Sequence, residues 1–534
     1  MIIALSQLNF TVGDSIANTK KIVTAIRNAH ANGADLIVFP ELSIGGFPAF
    51  DLNFFTSFKE KAIDSLHDIE KACMGISCLI GGVKPQEGIE SKSYNVAYFI
   101  REGKIEKIIT KKNLRIADWL DESRYYEAGE GPYTKLAIKD RVFLVTIGGD
   151  IHQITKEDIG EADGVINIHA TPFSPASHAD RLISIQRIAK EWQVPVLEVN
   201  QVGAQGDLIF AGGSIVTDEA GQILDELNLF EEDLRFYQVG EGMKVLQAKQ
   251  TKATWSELEL IHNALLLGIK DFLNKQGFSK AVIGLSGGLD SALVATLACK
   301  ALGPENVLTV LMPSIYSTDH SVQDALDLVK NLGCKHEIIP IRDGVEVIEK
   351  MLAPVFSGLP ADLTEENIQA RVRAITLMGV SNKLGYIVLN TSNKSEASVG
   401  YGTLYGDLVG SLCVLGDVYK TQAYELARFI NQDKEIIPNH ILTKAPSAEL
   451  RPGQKDSDSI PEYDLLDPIL YHHVDKGKSA AEIIALGFGA ELVNPILRLV
   501  QQAEFKRCQA PPILRVSDKA FGRARIMPLV SKIE

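Results

Sequence analysis

The chain has 534 residues, 46% of them apolar and 23% charged, which is too long for a single hydrophobic core and ordinary in balance for a soluble globular protein of two or more domains. Its 54 basic and 68 acidic residues leave a net charge of −14, which argues against a broad nucleic-acid-binding face but leaves room for a local basic pocket that holds an anionic nucleotide. Six scattered cysteines (Cys73, Cys78, Cys299, Cys334, Cys413, Cys508) form no CxxC pair. No apolar run nears the ~18 residues of a membrane span, so the expectation is a cytoplasmic protein with free thiols and no membrane partner.

The first half alternates strand-like and helix-like segments. Ile2 to Leu5 reads as a buried strand. Asn18 to His30 carries helical spacing through Ile22, Ile26 and Ala29. Short apolar runs follow at Asp35 to Pro40, Cys78 to Gly82, Val142 to Ile147, Gly164 to Ile168 and Pro195 to Val199. This is the pattern of an α/β layer protein. The polar stretch Gln247 to Thr254 has no apolar periodicity, which predicts a linker over 246–255 between domains spanning 1–245 and 256–534.

A helix is predicted from near Ser256, then strands at Ala281 to Leu285, Val307 to Leu311, Lys335 to Ile341 and Gly385 to Asn390. Strands alternating with helices imply a doubly wound parallel sheet, whose ligands bind at the carboxyl ends of strands. At one such end stands Gly284-Leu285-Ser286-Gly287-Gly288-Leu289-Asp290-Ser291, followed by the helix-like Ala292 to Ala298. A strand that runs through glycines into a helix aims free backbone N–H groups and the positive helix end at an anion. Asp290 adds a carboxylate where a phosphate-bound magnesium ion would sit. There is no Gly-Lys-Ser/Thr, so this is not the commonest phosphate loop.

The segment resembles the pyrophosphate loop of the N-type ATP pyrophosphatases, which cleave ATP between its α and β phosphates. Further segments narrow the resemblance: Met312 to Ser317, Glu366 to Arg371, Asn390 to Glu396, Tyr401 to Asp407, Ser447 to Asp456 and Phe505 to Pro512. In this order they resemble the NAD synthetase family, from about residue 256 to 530. The resemblance implies ATP and deamido-NAD as substrates, Mg2+ as cofactor, and a homo-oligomer, dimeric or larger. It implies that Gly284 to Ser291 cradle the ATP phosphates and that Thr391, Lys420 and Ser447 contact ATP. Asp290 and Glu396 would hold the metal and carry the catalytic charge. Asn367, Arg371, Glu396, Tyr401, Leu404 and Lys506 would lie near deamido-NAD. Plainer readings stand beside these: Arg371 on a solvated helix face, Leu404 as packing, Lys506 and Arg507 as a surface charge pair, Ser447 as a helix cap.

Residues 1 to about 245 resemble the nitrilase/amidase family, through Gln7-Leu8-Asn9, Val12-Gly13-Asp14, Gly33 to Leu42, Val199 to Gly203 and Phe210 to Ser214. The implied fold is a nitrilase-like α/β sandwich. That family works with a Glu–Lys–Cys set. Glu41 and Lys111 stand at the first two positions, but the strand ending at Ile147 is followed by Gly148-Gly149-Asp150. Glycine offers no thiolate to attack an amide. Pro172 to His178 also departs from the family's Gly-Lys. The expectation is therefore a degenerate glutaminase site and a synthetase fed by ammonia. Two rivals stay open: a different pyrophosphate-loop amidotransferase, or glutamine use by an unrecognised route. A non-enzymatic nucleotide-binding protein would be expected to have lost Asp290 or Glu396, and both are present.

Overall fold

The computed structural model describes all residues except 87–91, 118, 241, 247–253 and 532–534. The chain divides into two compact units, Met1–Trp255 and Ser256–Glu534. Most of the linker expected over 246–255 lies outside the described residues.

In the first unit the described residues form two large sheets. One has seven strands, in the order Met243–Val245, Asp233–Val239, Ile2–Gln7, Leu36–Val38, Ser77–Pro85, Ser93–Arg101, Lys104–Thr110. The other has six: Ile223–Glu226, Ile215–Thr217, Val196–Asn200, Gly164–His169, Arg141–Ile147, Thr134–Ile138. Each has a parallel centre flanked by antiparallel strands. Alternation along each strand sends one row of side chains inward. Leu5, Val38 and Leu79 of the first sheet thus share a core with Val145, Ile168 and Val199 of the second. The outer faces are covered by the helices Ser15–Ala31 and Thr56–Ala72 on one side and Pro175–Trp192 on the other. The layering is helix, sheet, sheet, helix.

The second unit is built on a five-stranded, all-parallel sheet in the order Lys335–Ile338, Val307–Leu311, Ala281–Gly284, Ile387–Asn390, Leu412–Cys413. Its central strand, Ala281–Gly284, and the neighbouring Val307–Leu311 are mostly apolar and almost wholly buried, as parallel strands covered on both faces must be. The strand expected to reach Ile341 stops at Ile338, because Pro340 has no N–H to donate to a ladder. One face carries the helix Leu363–Leu384, whose Ile368, Val372 and Leu377 pack on Val282 and Val310. A separate helical core follows, centred on Leu466, Ile469, Val493 and Ile496.

Candidate active site

The glycine turn begins where the strand Ala281–Gly284 ends. Gly287 has φ +81°, and a Cβ there would overlap the carbonyl oxygen of Ser321, so only glycine fits. The helix Leu289–Leu302 starts at Gly288 without a side-chain cap, which leaves its first N–H groups free for a ligand. Ser286 and Ser291 bring their hydroxyls to 3.1 Å of each other, and the Ser291 hydroxyl also donates to Gly288 O at 3.1 Å. These bonds fix the turn's shape.

Three charged groups from distant segments meet beside this turn. The Lys420 ammonium lies 2.5 Å from Asp290 Oδ2 and 3.7 Å from Glu396 Oε1. Asn393 Nδ2 donates to Asp290 Oδ1 at 3.3 Å and, through Oδ1, Asn393 accepts the Glu396 N–H at 2.9 Å. That capping box opens the helix Lys394–Val399 and presents Glu396 toward Asp290. Burial and the Asp290 charge push the Glu396 carboxyl up to about 8. Burial works against the Lys420 charge, but Asp290 and Glu396 outweigh it and raise the ammonium well above its ordinary value. Two repelling carboxylates sharing one lysine form a hard-oxygen donor set short of positive charge. Such a set suits Mg2+, which takes one or two carboxylates and fills its shell with water and phosphate oxygens. Among the described residues, no group of three or more His, Cys, Asp or Glu converges as a self-sufficient metal site.

The residues expected near the second substrate converge on the segment 400–407. Asn367 Oδ1 accepts the Thr403 hydroxyl at 2.6 Å, and Arg371 Nε donates to Leu404 O at 3.3 Å. Lys506 Nζ donates to Gly400 O at 2.8 Å and Gly402 O at 2.7 Å. Arg371 is therefore not on a solvated helix face, and Lys506 is not half of a surface pair. Arg507 also bonds inward, to Ser398 O at 2.6 Å and Glu504 Oε2 at 2.7 Å. Leu404 enters through its carbonyl rather than its side chain. Ser447 caps no helix: its hydroxyl donates to Gln454 O at 2.6 Å and accepts Glu449 N–H at 3.1 Å, closing its own loop. Thr391 is partly exposed at the end of the strand Ile387–Asn390. Tyr401 donates to Asp456 Oδ1 at 3.3 Å, and Tyr463 to Asp456 Oδ2 at 2.9 Å. Asp456 and Tyr463 also line a cleft with Pro446, Lys455 and Glu462. Tyr463 is absent from the sequence motifs, since nothing in its apolar helical surroundings marks it.

In the first unit, Lys111 Nζ lies 2.7 Å from Glu41 Oε1 and 2.8 Å from Glu122 Oε2, all three almost fully buried. Asn95 Nδ2 donates to Glu41 Oε1 at 2.7 Å. Asp150 accepts the backbone N–H groups of Lys112 and Asn113, tying the loop after Lys111 to the turn at Gly148. Gly148 sits beside this trio with φ +58°. A Cβ added to it would stand 2.9 Å from Lys111 Nζ and 3.0 Å from Glu41 Oε2. Both atoms are the tips of flexible side chains, so a side chain on residue 148 would ask them to shift slightly and would itself sit at a positive φ.

The NAD synthase family profile matches residues 261–510, and the carbon-nitrogen hydrolase profile matches residues 2–243. A glutamine-dependent NAD(+) synthetase of Synechocystis sp. is 44% identical over 99% of this chain and 98% of its own length. The chain belongs to the NAD synthetase family. A relative of the same name from Thermotoga maritima is 37% identical over 100% of this chain and 99% of its own. The solved glutamine-dependent NAD+ synthetase of Acinetobacter baumannii, in complex with ADP, is 34% identical with a TM-score of 0.79, covering 99% of this chain and 98% of that one. A synthetase structure from Cytophaga hutchinsonii, at 21% identity and TM-score 0.85, covers 99% and 98% and supports the fold. The fold is thus a nitrilase-like unit followed by a parallel-sheet NAD synthase unit.

Proposed function

We propose that this chain amidates deamido-NAD to NAD in two steps, consuming ATP and releasing pyrophosphate and AMP. The reading is carried by the Asp290–Lys420–Glu396 cluster at the mouth of an uncapped glycine turn, in a chain similar end to end to NAD synthetases. The free N–H groups at the start of the helix Leu289–Leu302 hold the pyrophosphate that departs. Asp290 and Glu396 would hold Mg2+, which when bound neutralises phosphate charge. Lys420 offers a fixed cation to the same phosphates. Thr391 and Ser447 flank the ATP side. Asn367, Arg371, Tyr401, Leu404 and Lys506 shape the segment that receives deamido-NAD. The nicotinate carboxylate attacks the α-phosphorus, pyrophosphate leaves, and ammonia then displaces AMP from the adenylate. No protein nucleophile takes part, so positioning and charge carry the rate.

Ammonia is the nitrogen donor in this reading, because residue 148 carries no thiol. The second reading, glutamine as donor, is favoured by the names of the full-length relatives. We also propose that the protein works in the cytoplasm, an assignment its unpaired cysteines support. We propose a homo-oligomer joined through the helix Arg342–Leu352, which buries none of its residues and exposes Val347 and Met351. The test of the activity is AMP release. The account requires AMP to form only when deamido-NAD, ATP and a nitrogen source are all present. AMP formed with another acceptor, such as aspartate or xanthylate, and not with deamido-NAD would refute it.

A further inference from the structure

Arg373 lies two residues beyond Arg371 on the helix Leu363–Leu384, but turns to a different part of the sheet edge. Where Arg371 reaches Leu404 O, Arg373 Nε donates to Met312 O at 3.2 Å. Met312 directly follows the strand Val307–Leu311, at its carboxyl end. The neighbouring strand ends at Gly284, the root of the glycine turn: a Cβ on Gly284 would meet Met312 Cε at 3.2 Å and Leu377 Cδ1 at 3.1 Å. Arg373 therefore stands at the ligand-binding edge of the sheet, beside the turn.

Its guanidinium is under-used. Five N–H donors have one backbone acceptor, and Arg373 forms no ion pair among the described residues. Crowding by protein atoms lowers the guanidinium to about 10, against the pull of Asp407 and Glu449. Those two carboxylates belong to different segments: Asp407 closes the run Tyr401 to Asp407, and Glu449 lies in Ser447 to Asp456. Each has partners of its own. Asp407 accepts Thr403 N–H at 2.6 Å, and Glu449 accepts Ser321 Oγ at 2.6 Å and Thr318 Oγ1 at 2.9 Å. A half-buried guanidinium with spare donors, drawn by two carboxylates it does not bond, is placed to meet an anion that arrives as ligand.

We propose that Arg373 contacts the phosphoryl group being transferred, at the point where the segment assigned to ATP and the segment assigned to deamido-NAD face each other. The inference rests on the adenylating role argued above and adds a residue to it. In that step a carboxylate oxygen forms a bond to the α-phosphorus. The bond from the α-phosphorus to the bridging oxygen breaks, and its electron pair leaves with pyrophosphate. Negative charge concentrates on the non-bridging α-oxygens during the exchange, and the free Nη donors of Arg373 answer it.

The experiment compares Arg373→Met and Arg373→Lys with the full-length wild type, measuring deamido-NAD-dependent AMP formation and thermal unfolding. The expected result is a kcat roughly 10²–10³-fold lower for Arg373→Met, with partial recovery in Arg373→Lys and KM for deamido-NAD within about threefold. The melting temperature of Arg373→Met should change little, because the half-buried side chain makes one hydrogen bond within the fold. Wild-type kcat in Arg373→Met overturns the inference. So does a lower melting temperature in both variants with kcat loss that tracks the loss of folded protein, since that marks a structural arginine. A wild type that forms no AMP with deamido-NAD overturns the parent reading, and this one with it.

Discussion

Replacing Lys111 by methionine separates a structural trio from a catalytic one. Lys111 is 3% exposed, and its partners Glu41 and Glu122 are 2% and 1% exposed, at 2.7 and 2.8 Å. Methionine keeps the length of the stem but leaves two carboxylates buried without a cation. Breaking a buried ion pair from one side costs about 3–5 kcal/mol. For a unit of this size, about 2–4 °C of melting temperature goes with each kcal/mol, so the first unit should melt about 6–20 °C lower. The loss should depend on pH. Burial already raises Glu122, with Lys111 opposing. Without Lys111 the folded-state value rises further above the unfolded one, so the folded state binds more protons. Stability of the variant then falls as pH rises from the unfolded carboxyl value through the folded one, and the defect shrinks in acid. Adding Glu41→Gln and Glu122→Gln should recover most of it. The assay is scanning calorimetry across pH, alongside ammonia-driven NAD formation, which should hold per folded molecule. A stability loss under about 1 kcal/mol, or loss of ammonia-driven turnover in folded protein, would refute the reasoning.

Four further outcomes follow from the same geometry. Gly287→Ala should weaken ATP binding at least about tenfold in a titration with a fluorescent ATP analogue, because its Cβ overlaps Ser321 O at φ +81°. Lys420→Met should lower kcat by roughly 10²–10³-fold, since it removes the cation shared by Asp290 and Glu396; unchanged kcat would detach Lys420 from the chemistry. Gly148→Cys alone should release no ammonia from glutamine, because a side chain at φ +58° is strained and Pro172 to His178 departs from the family's Gly-Lys; glutaminase activity in that variant would show that the glutamine pocket persists. Burial, helped by Lys300, holds the His262 imidazole down at about 4. The unfolded chain therefore takes up the proton first, and stability should fall as pH drops from about 6.5 toward 4. In His262→Phe that slope should flatten, as urea midpoints measured across this range would report.

The glycine turn was legible because its signal is local: an apolar strand, two glycines and a helix lie within twenty consecutive residues. The capping box from Asn393 to Glu396 is just as local but emerges only in the structure. Long-range convergence was not legible from pattern alone. Glu41 and Lys111 lie 70 residues apart and meet because each follows a strand of the same sheet, Leu36–Val38 and Lys104–Thr110, which only resemblance could anticipate. Asn95 and Tyr463 sit in ordinary strand and helix patterns, and only the fold aims them at Glu41 and Asp456. The hairpin Ser93–Arg101 and Lys104–Thr110 escaped a search for apolar runs, because its second strand is charged and largely exposed. The plainer readings of Arg371, Lys506 and Ser447 failed for one reason: each side chain bonds a backbone carbonyl of a loop, and loops leave no periodic trace.

The central claim is that the adenylating unit is intact while the attached amidase frame lacks its nucleophile. The most direct measurement is initial-rate NAD formation by purified full-length protein with 15N-ammonium or with amide-15N glutamine freed of ammonia. The account predicts 15N in the NAD carboxamide from ammonium, and a rate with glutamine no higher than without a nitrogen source. Label entering from glutamine at a rate comparable to ammonium would contradict it.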